Sequence, residues 1–211
     1  MKNIDVARMA GLMTREVKRT EKDGHPAAAV IASRVYDTDA ADLWDAVTVP
    51  ERLARWFLPV EGELRVGGKY QLKGNAGGTI TACTPPKDFA ATWEFGGFVS
   101  WIEVAIEPAG KGARLTLTHT GQTDNPFFEQ FGPGATGVGW DLGLLGLALH
   151  FEGGGEALDP KSFEAWTVGD EGKQFLALTS GGWGAADEAS GRDATAARDS
   201  AAATLKFYSG G

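Results

Sequence analysis

The sequence holds a single cysteine, Cys83, among 211 residues. No intramolecular disulfide can form, and this sparing use of cysteine points to a reducing compartment. Positive charge is also short. Twenty Lys and Arg stand against 28 Asp and Glu, for a formal net charge of -8. Nucleic acid and anionic membranes both need a basic footprint, so neither is expected as a partner. No apolar run is long enough to span a bilayer, and the longest, around "LLGLALHF", falls well short. The opening "MKNIDVARMAGLM" is interrupted by Asp5 and Arg8 and lacks the apolar core of a signal peptide. A soluble, cytoplasmic protein without membrane insertion is the expectation. The three histidines, His25, His119 and His150, have no second histidine or cysteine at ligand spacing, so neither a metal site nor a cofactor is expected. G-x-S-x-G, Walker, dinucleotide-binding and H-E-x-x-H motifs are all missing.

What is present is a mixture of two periodicities. "REVKRTEKDGHPAAAVIASRVY" (15–36) reads as a hairpin turned at Asp23-Gly24. In "DTDAADLWDAV" Asp39 can cap a helix whose apolar side is Leu43, Trp44 and Val47. "TVPERLARWFLP" (48–59) reads as a second short helix, with Thr48 and Glu51 as a capping box, Pro50 in the first turn and Pro59 as the stop. Its Leu53, Trp56 and Phe57 share one face and must press on something, because two turns cannot stand alone.

Residues 62–120 change to period two. Short strands alternate with Gly-rich turns and no helices intervene, which indicates an antiparallel meander. Phe89, Ala91, Trp93 and Phe95 share a face; so do Ile102, Val104 and Ile106; so do Leu115, Leu117 and His119. The glycine pairs at 67–68, 77–78 and 96–97 are expected in hairpins. "GVGWDLGLLGLALHF" (137–151) has an apolar arc too broad for a surface helix. Its Gly139, Gly143 and Gly146 each cost about 1 kcal/mol against alanine, so the helix backbone must lie close to something or beside free space. Residues 156–211 read as three helices, the middle one weakened by Gly181, Gly182 and Gly184.

"DLWDAVTVPERLARWFLP", "GGKY", "PPKDFAATWEF", "RLTLTHTG" and "GWDLGLLGLALHFEGG", in that order over residues 26–155, resemble the START-like (Bet v 1-like, SRPBCC) superfamily, in particular the bacterial homologues of the heat-shock protein 90 ATPase activator domain. The tail resembles extra helices of some actinobacterial members. The resemblance implies an α+β helix-grip fold, a curved antiparallel sheet wrapped around a long helix and closed at one end by two short helices. The expected division is a helix-grip domain at 14–155 and a helical extension at 156–211, packed on that domain or on a partner subunit. The resemblance also implies a cavity for an apolar or amphipathic small molecule. It implies no shared reaction, since fold alone does not settle function.

Trp44, Trp56, Phe57, Trp93, Trp101, His119, Trp140 and Leu144 are the candidates to line that cavity, because wide apolar side chains suit a flat apolar ligand. Trp56 and Phe57 are either core or entrance. His119, Glu94 and Asp141 are the candidate acid–base groups should a metal-free cyclase- or hydrolase-like reaction take place. For His119 the plainer role is a hydrogen-bonded structural histidine. Arg34 is a candidate partner for Glu94 or Asp141, since a buried charge requires one. Cys83 reads as a small buried residue. Three functions compete: binding of a small apolar ligand, a metal-free enzyme, and a co-chaperone-like interaction regulator. A homodimer through the extension remains open.

Overall fold

The computed structural model describes residues 4–210. Eight strands form one sheet in the order β1-β2-β8-β7-β6-β5-β4-β3. They are β1 (Thr14–Lys22), β2 (His25–Tyr36), β3 (Val60–Gly62), β4 (Lys69–Leu72), β5 (Gly77–Thr84), β6 (Asp88–Phe95), β7 (Phe98–Ala109) and β8 (Gly112–Gln122). The helices among the described residues are α1 (Val6–Gly11), α2 (Ala40–Thr48), α3 (Pro50–Trp56), α4 (Pro126–Phe131), α5 (Gly134–Glu152), α6 (Pro160–Val168), α7 (Asp170–Ala189) and α8 (Ala194–Ser209). This is the helix-grip architecture, with α5 as its long helix and α6–α8 as a C-terminal helical segment. None of the described helices is long and apolar enough to cross a membrane.

The chain separates into two compact units. One contains the described residues up to 32, residues 122–145 and those from 158 onward; the other contains residues 33–121 and 146–157. β2 and α5 run through both.

In the second unit the meander forms for local reasons. β8 alternates apolar and polar residues, burying Leu115, Leu117 and His119 while Thr116, Thr118 and Thr120 stay partly exposed. Gly96 and Gly97 both take positive φ, 61° and 83°, which closes the β6–β7 hairpin at minimum length. The 77–78 glycines lie inside β5 instead of in a turn. Tyr70 stands opposite Gly78, and its hydroxyl donates to the Thr92 carbonyl at 2.7 Å. A Cβ on Gly78 would collide with that same carbonyl, so the strand needs glycine there. Burial raises the Tyr70 pKa to about 12, with the Glu94 charge adding to it.

α2 begins as expected, with the Asp39 carboxylate accepting from Asp42 N at 2.8 Å. The capping box does not form. Thr48 turns back to donate to Trp44 O at 2.7 Å, and Val49, which has no side-chain acceptor, becomes the N-cap of α3. Pro50 does occupy the first turn of α3. Cys83 is exposed. A register shift between Ile80 and Ala82 marks a bulge in β5, and from Thr81 onward the strand turns its residues into solvent.

The first unit is built around α7. Trp183, Phe175 and Leu176 are buried almost completely. α7 packs on α1, β1, α6 and α8. It runs unbroken through Gly181, Gly182 and Gly184, so these glycines do not hinge it.

Candidate functional site

The strand register arranges β6, β7 and β8 into rows. Phe89, Val104 and Leu117 form one row; Ala91, Ile102 and His119 form the next; Trp93 and Ser100 follow; Phe95 and Phe98 end the hairpin. All these side chains lie on one face, called inner here because Ile102, Val104, Ile106, Leu115 and Leu117 are buried on it. α2 covers the Phe89 end. It packs on β7, and Trp44 meets the edge of Phe89 with ring centroids 6.1 Å apart. Toward the hairpin the cover thins. Trp93 and Ser100 are half-buried, while Phe95 and Phe98 are 57% and 64% exposed.

His119 sits where buried turns to half-buried. Its Nε2 lies 2.7 Å from Ser100 Oγ, and the Trp93 ring presents edge-on at 5.8 Å. Burial pulls its pKa down to about 4, so the imidazole is neutral at pH 7. Ser100 Oγ also donates to Trp93 O at 3.1 Å. With its only proton used there, Ser100 accepts from His119, which makes Nε2 the protonated nitrogen. A serine whose hydroxyl faces away from the imidazole base is not an activated nucleophile; it fixes the ring.

The other candidates are placed as follows. Glu94 is exposed and accepts from Thr92 Oγ1 at 3.0 Å, on the face opposite His119. Trp101 pairs with Thr92 and Thr120, so it too faces away from Trp93 and His119. Trp56 donates from Nε1 to Ala46 O at 2.9 Å, which ties α3 to α2, and its ring lies 5.5 Å from that of Phe57. Both rings are half-buried.

Trp140, Asp141 and Leu144 belong to the other unit. Leu144 is buried and Trp140 half-buried. Asp141 is wholly buried, and its Oδ2 accepts from Arg15 Nε at 2.8 Å and from Trp183 Nε1 at 2.9 Å. Its partner is therefore Arg15, not Arg34; no sequence signal links two residues 126 positions apart. Oδ1 of Asp141 and Nη2 of Arg15 are buried without a hydrogen-bond partner. Burial pushes the Asp141 pKa up to about 6, against the opposing pull of Arg15 and Trp183. Arg34 is buried beside the Tyr36 ring, 5.5 Å from its centroid.

A second buried carboxylate, Asp187 in α7, is bonded by Arg19 of β1 and by Arg192 at 3.0 Å. Both guanidinium groups also lie over the Phe128 ring of α4. Each charge has its partner, so this group is structural.

His25 is exposed and lies 2.9 Å from Asp124. His150 is buried at the end of α5, with Nδ1 2.8 Å from Glu156 O. Among the described residues no three His, Cys, Asp or Glu side chains stand close enough to hold a metal ion. Ser100 and Phe98 were not singled out from sequence, and Phe95 was named only as sharing the face of Trp93. The two-residue period that marked Trp93 and Ile102 also placed these three on the same face.

The sheet, the long helix and the histidine-bearing inner face define a START-like, Bet v 1-like protein. The chain belongs to the Activator of Hsp90 ATPase homolog 1-like protein family, whose model matches residues 37–151. Among solved structures it is similar to CalU16 from Micromonospora echinospora. The crystal structure of CalU16 is 28% identical over 79% of this chain and 98% of CalU16, with a TM-score of 0.60. The solution structure of the same protein gives 27% identity over 81% and 96%, also at 0.60. MLL2253 from Mesorhizobium loti, 19% identical over 59% of this chain and 96% of its own, shares the fold at a TM-score of 0.53. Comparison with curated proteins gives no significant match.

Proposed function

We propose that this protein binds an apolar or amphipathic small molecule on the inner face of β6–β8, beside Trp93, Ser100 and His119. One observation carries the reading. A single neutral, hydrogen-bonding histidine stands on an otherwise apolar sheet face, at the point where that face opens from buried to half-buried. A polar group of this kind orients a ligand, and the aromatic and aliphatic rows around it supply the contact area. An acid–base role is less well served, because a base with a pKa near 4 accepts a proton weakly at pH 7.

A panel of fatty acids, flavonoids and polyketide-like compounds, followed by tryptophan fluorescence, tests the proposal. At least one class is expected to bind more tightly than about 1 mM, which corresponds to about 4 kcal/mol. If no compound reaches that affinity, the reading is wrong.

We further propose that residues 156–211 act as a clasp on the elements they touch. Support comes from Trp183 on Asp141, Asp187 on Arg19, Thr204 donating to Phe131 O, and Tyr208 donating to Ala135 O at 2.7 Å. Burying one large apolar side chain contributes roughly 1.5–3 kcal/mol, so Phe175, Leu176 and Trp183 together outweigh a typical surface contact. Truncation after Gly155 is expected to lower the melting temperature and to raise the binding of a hydrophobic dye. Unchanged melting and unchanged dye binding would reduce the segment to a loose tail. Light scattering on the same variant reports whether the segment also holds two subunits together.

A further inference from the structure

We infer that the ligand of this site is an elongated molecule with one uncharged hydrogen-bonding end, seated at His119 and Ser100, and an apolar body that runs along Trp93 to the Phe95–Phe98 tip of the β6–β7 hairpin. This rests on the small-molecule reading above and narrows it to a chemical class.

The first argument is charge. β6, β7 and β8 carry Asp88, Glu94, Glu103, Glu107 and Arg114. By the register every one of them lies on the outer face, together with Ala90, Thr92, Trp101 and Thr116. Lys69 of β4 is likewise out of phase with Tyr70, which stands in the row of Gly78 and Trp93. On the inner face of these strands His119 is the one ionisable side chain, and it is neutral at pH 7. A carboxylate or ammonium placed beside it would lose its hydration and gain no counter-charge from β6, β7 or β8. An alcohol or ketone loses far less and can still exchange hydrogen bonds with the imidazole and the serine.

Length is the second argument. α2 and Trp44 close the inner face at the Phe89 row, so a ligand beside His119 extends the other way. From the Ile102 row to the Phe98 row the strand advances four residues, about 13 Å. That equals an extended chain of roughly ten carbons. At its far end Phe95 and Phe98 face each other across the last pair of the hairpin, both mostly in solvent. Two opposed phenylalanines support the strand pairing by only about 0.2–1 kcal/mol, and most of their surface stays in water. They gain contact area when an apolar chain lies between them and Trp93.

Titration of the protein with 1-decanol, 1-hexanol and decanoate at pH 8, followed by tryptophan fluorescence, tests this. Decanol is expected to bind at least tenfold more tightly than decanoate and at least tenfold more tightly than hexanol. Phe98→Ser, a change at an exposed position, is expected to weaken decanol several-fold and to leave hexanol unchanged. Decanoate binding as well as decanol would overturn the uncharged end. A decanol-to-hexanol ratio that is small, or that Phe98→Ser does not alter, would overturn the extended body. If the wider panel binds and the decyl probes do not, this inference fails while the small-molecule reading stands. If nothing binds at all, both fall.

Discussion

Gly137→Ala is expected to destabilise the protein by about 2–4 kcal/mol, although alanine is worth about 1 kcal/mol more than glycine inside a helix. The reason is the Trp183 indole. It lies flat on the backbone of α5 at Gly137, and a methyl group there would fall inside the ring system. Trp183 cannot yield easily. It is fully buried, and its Nε1 is bonded to Asp141 Oδ2. Displacing it would take one donor from a buried carboxylate and open a void where a fully buried indole had been. A chain of this size loses roughly 2–4 °C of melting temperature per kcal/mol, so a fall of about 5–15 °C is expected by circular dichroism. Gly139→Ala is the control. Its new methyl would meet only the Tyr208 hydroxyl, at 3.0 Å, the far end of a side chain that can move. Equal melting temperatures for Gly137→Ala and the wild type would show that Trp183 does not seat on α5.

The second large effect is a pair of opposed pH dependences. His119 has a folded-state pKa near 4, below the usual 6.5. The unfolded chain therefore binds an extra proton between those values. The resulting stability is present above about pH 6.5 and is lost as pH falls toward 4. It amounts to about 3 kcal/mol at full extent. Asp141 runs the other way. Its folded pKa near 6 lies above the usual 3.8, so the folded state holds the extra proton. That contribution is present below about pH 4 and is lost as pH rises through 6, by about 3 kcal/mol. In the wild type the two nearly cancel, and a shallow curve between pH 4 and 6.5 is expected. His119→Gln should leave stability falling with rising pH across this window. Asp141→Asn should leave it rising. Urea denaturation at four or five pH values separates the two, and parallel curves for both variants and the wild type would refute the assignment.

Much of the fold could be read locally. The Asp23-Gly24 hairpin, the Asp39 cap, the first-turn Pro50, the β6–β7 hairpin turned at Gly96-Gly97 and the long apolar helix are all signals within a few residues of the element they specify. Such signals persist because backbone geometry fixes the periods of 2 and 3.6 before any tertiary contact forms. Short elements were the weak point. α1 and α4 are six residues each and show too little periodicity to stand out, although Asn125-Pro126 is a cap followed by a first-turn proline. The Thr48–Glu51 capping box had the right letters. The side chain chose the Trp44 carbonyl instead, a competition between two nearby acceptors that spacing alone does not decide.

For the candidate site, the sequence by itself determined which residues share a strand face: Trp93 with Phe95, Ile102 with Ser100, and His119 with Leu117. Only the tertiary structure decided the rest. Register put Trp101 and Glu94 on the side away from His119, because one residue of offset reverses a face. The bulge in β5 set Cys83 opposite Phe89 instead of Asp88, and Cys83 is exposed there. Burial made His119 a weak base and Asp141 a weak acid, since desolvation depends on everything packed around a group. Asp141 found Arg15 and Trp183 from positions 126 and 42 residues away. Contacts that distant leave no mark on local periodicity, because the chain between them sets the meeting point.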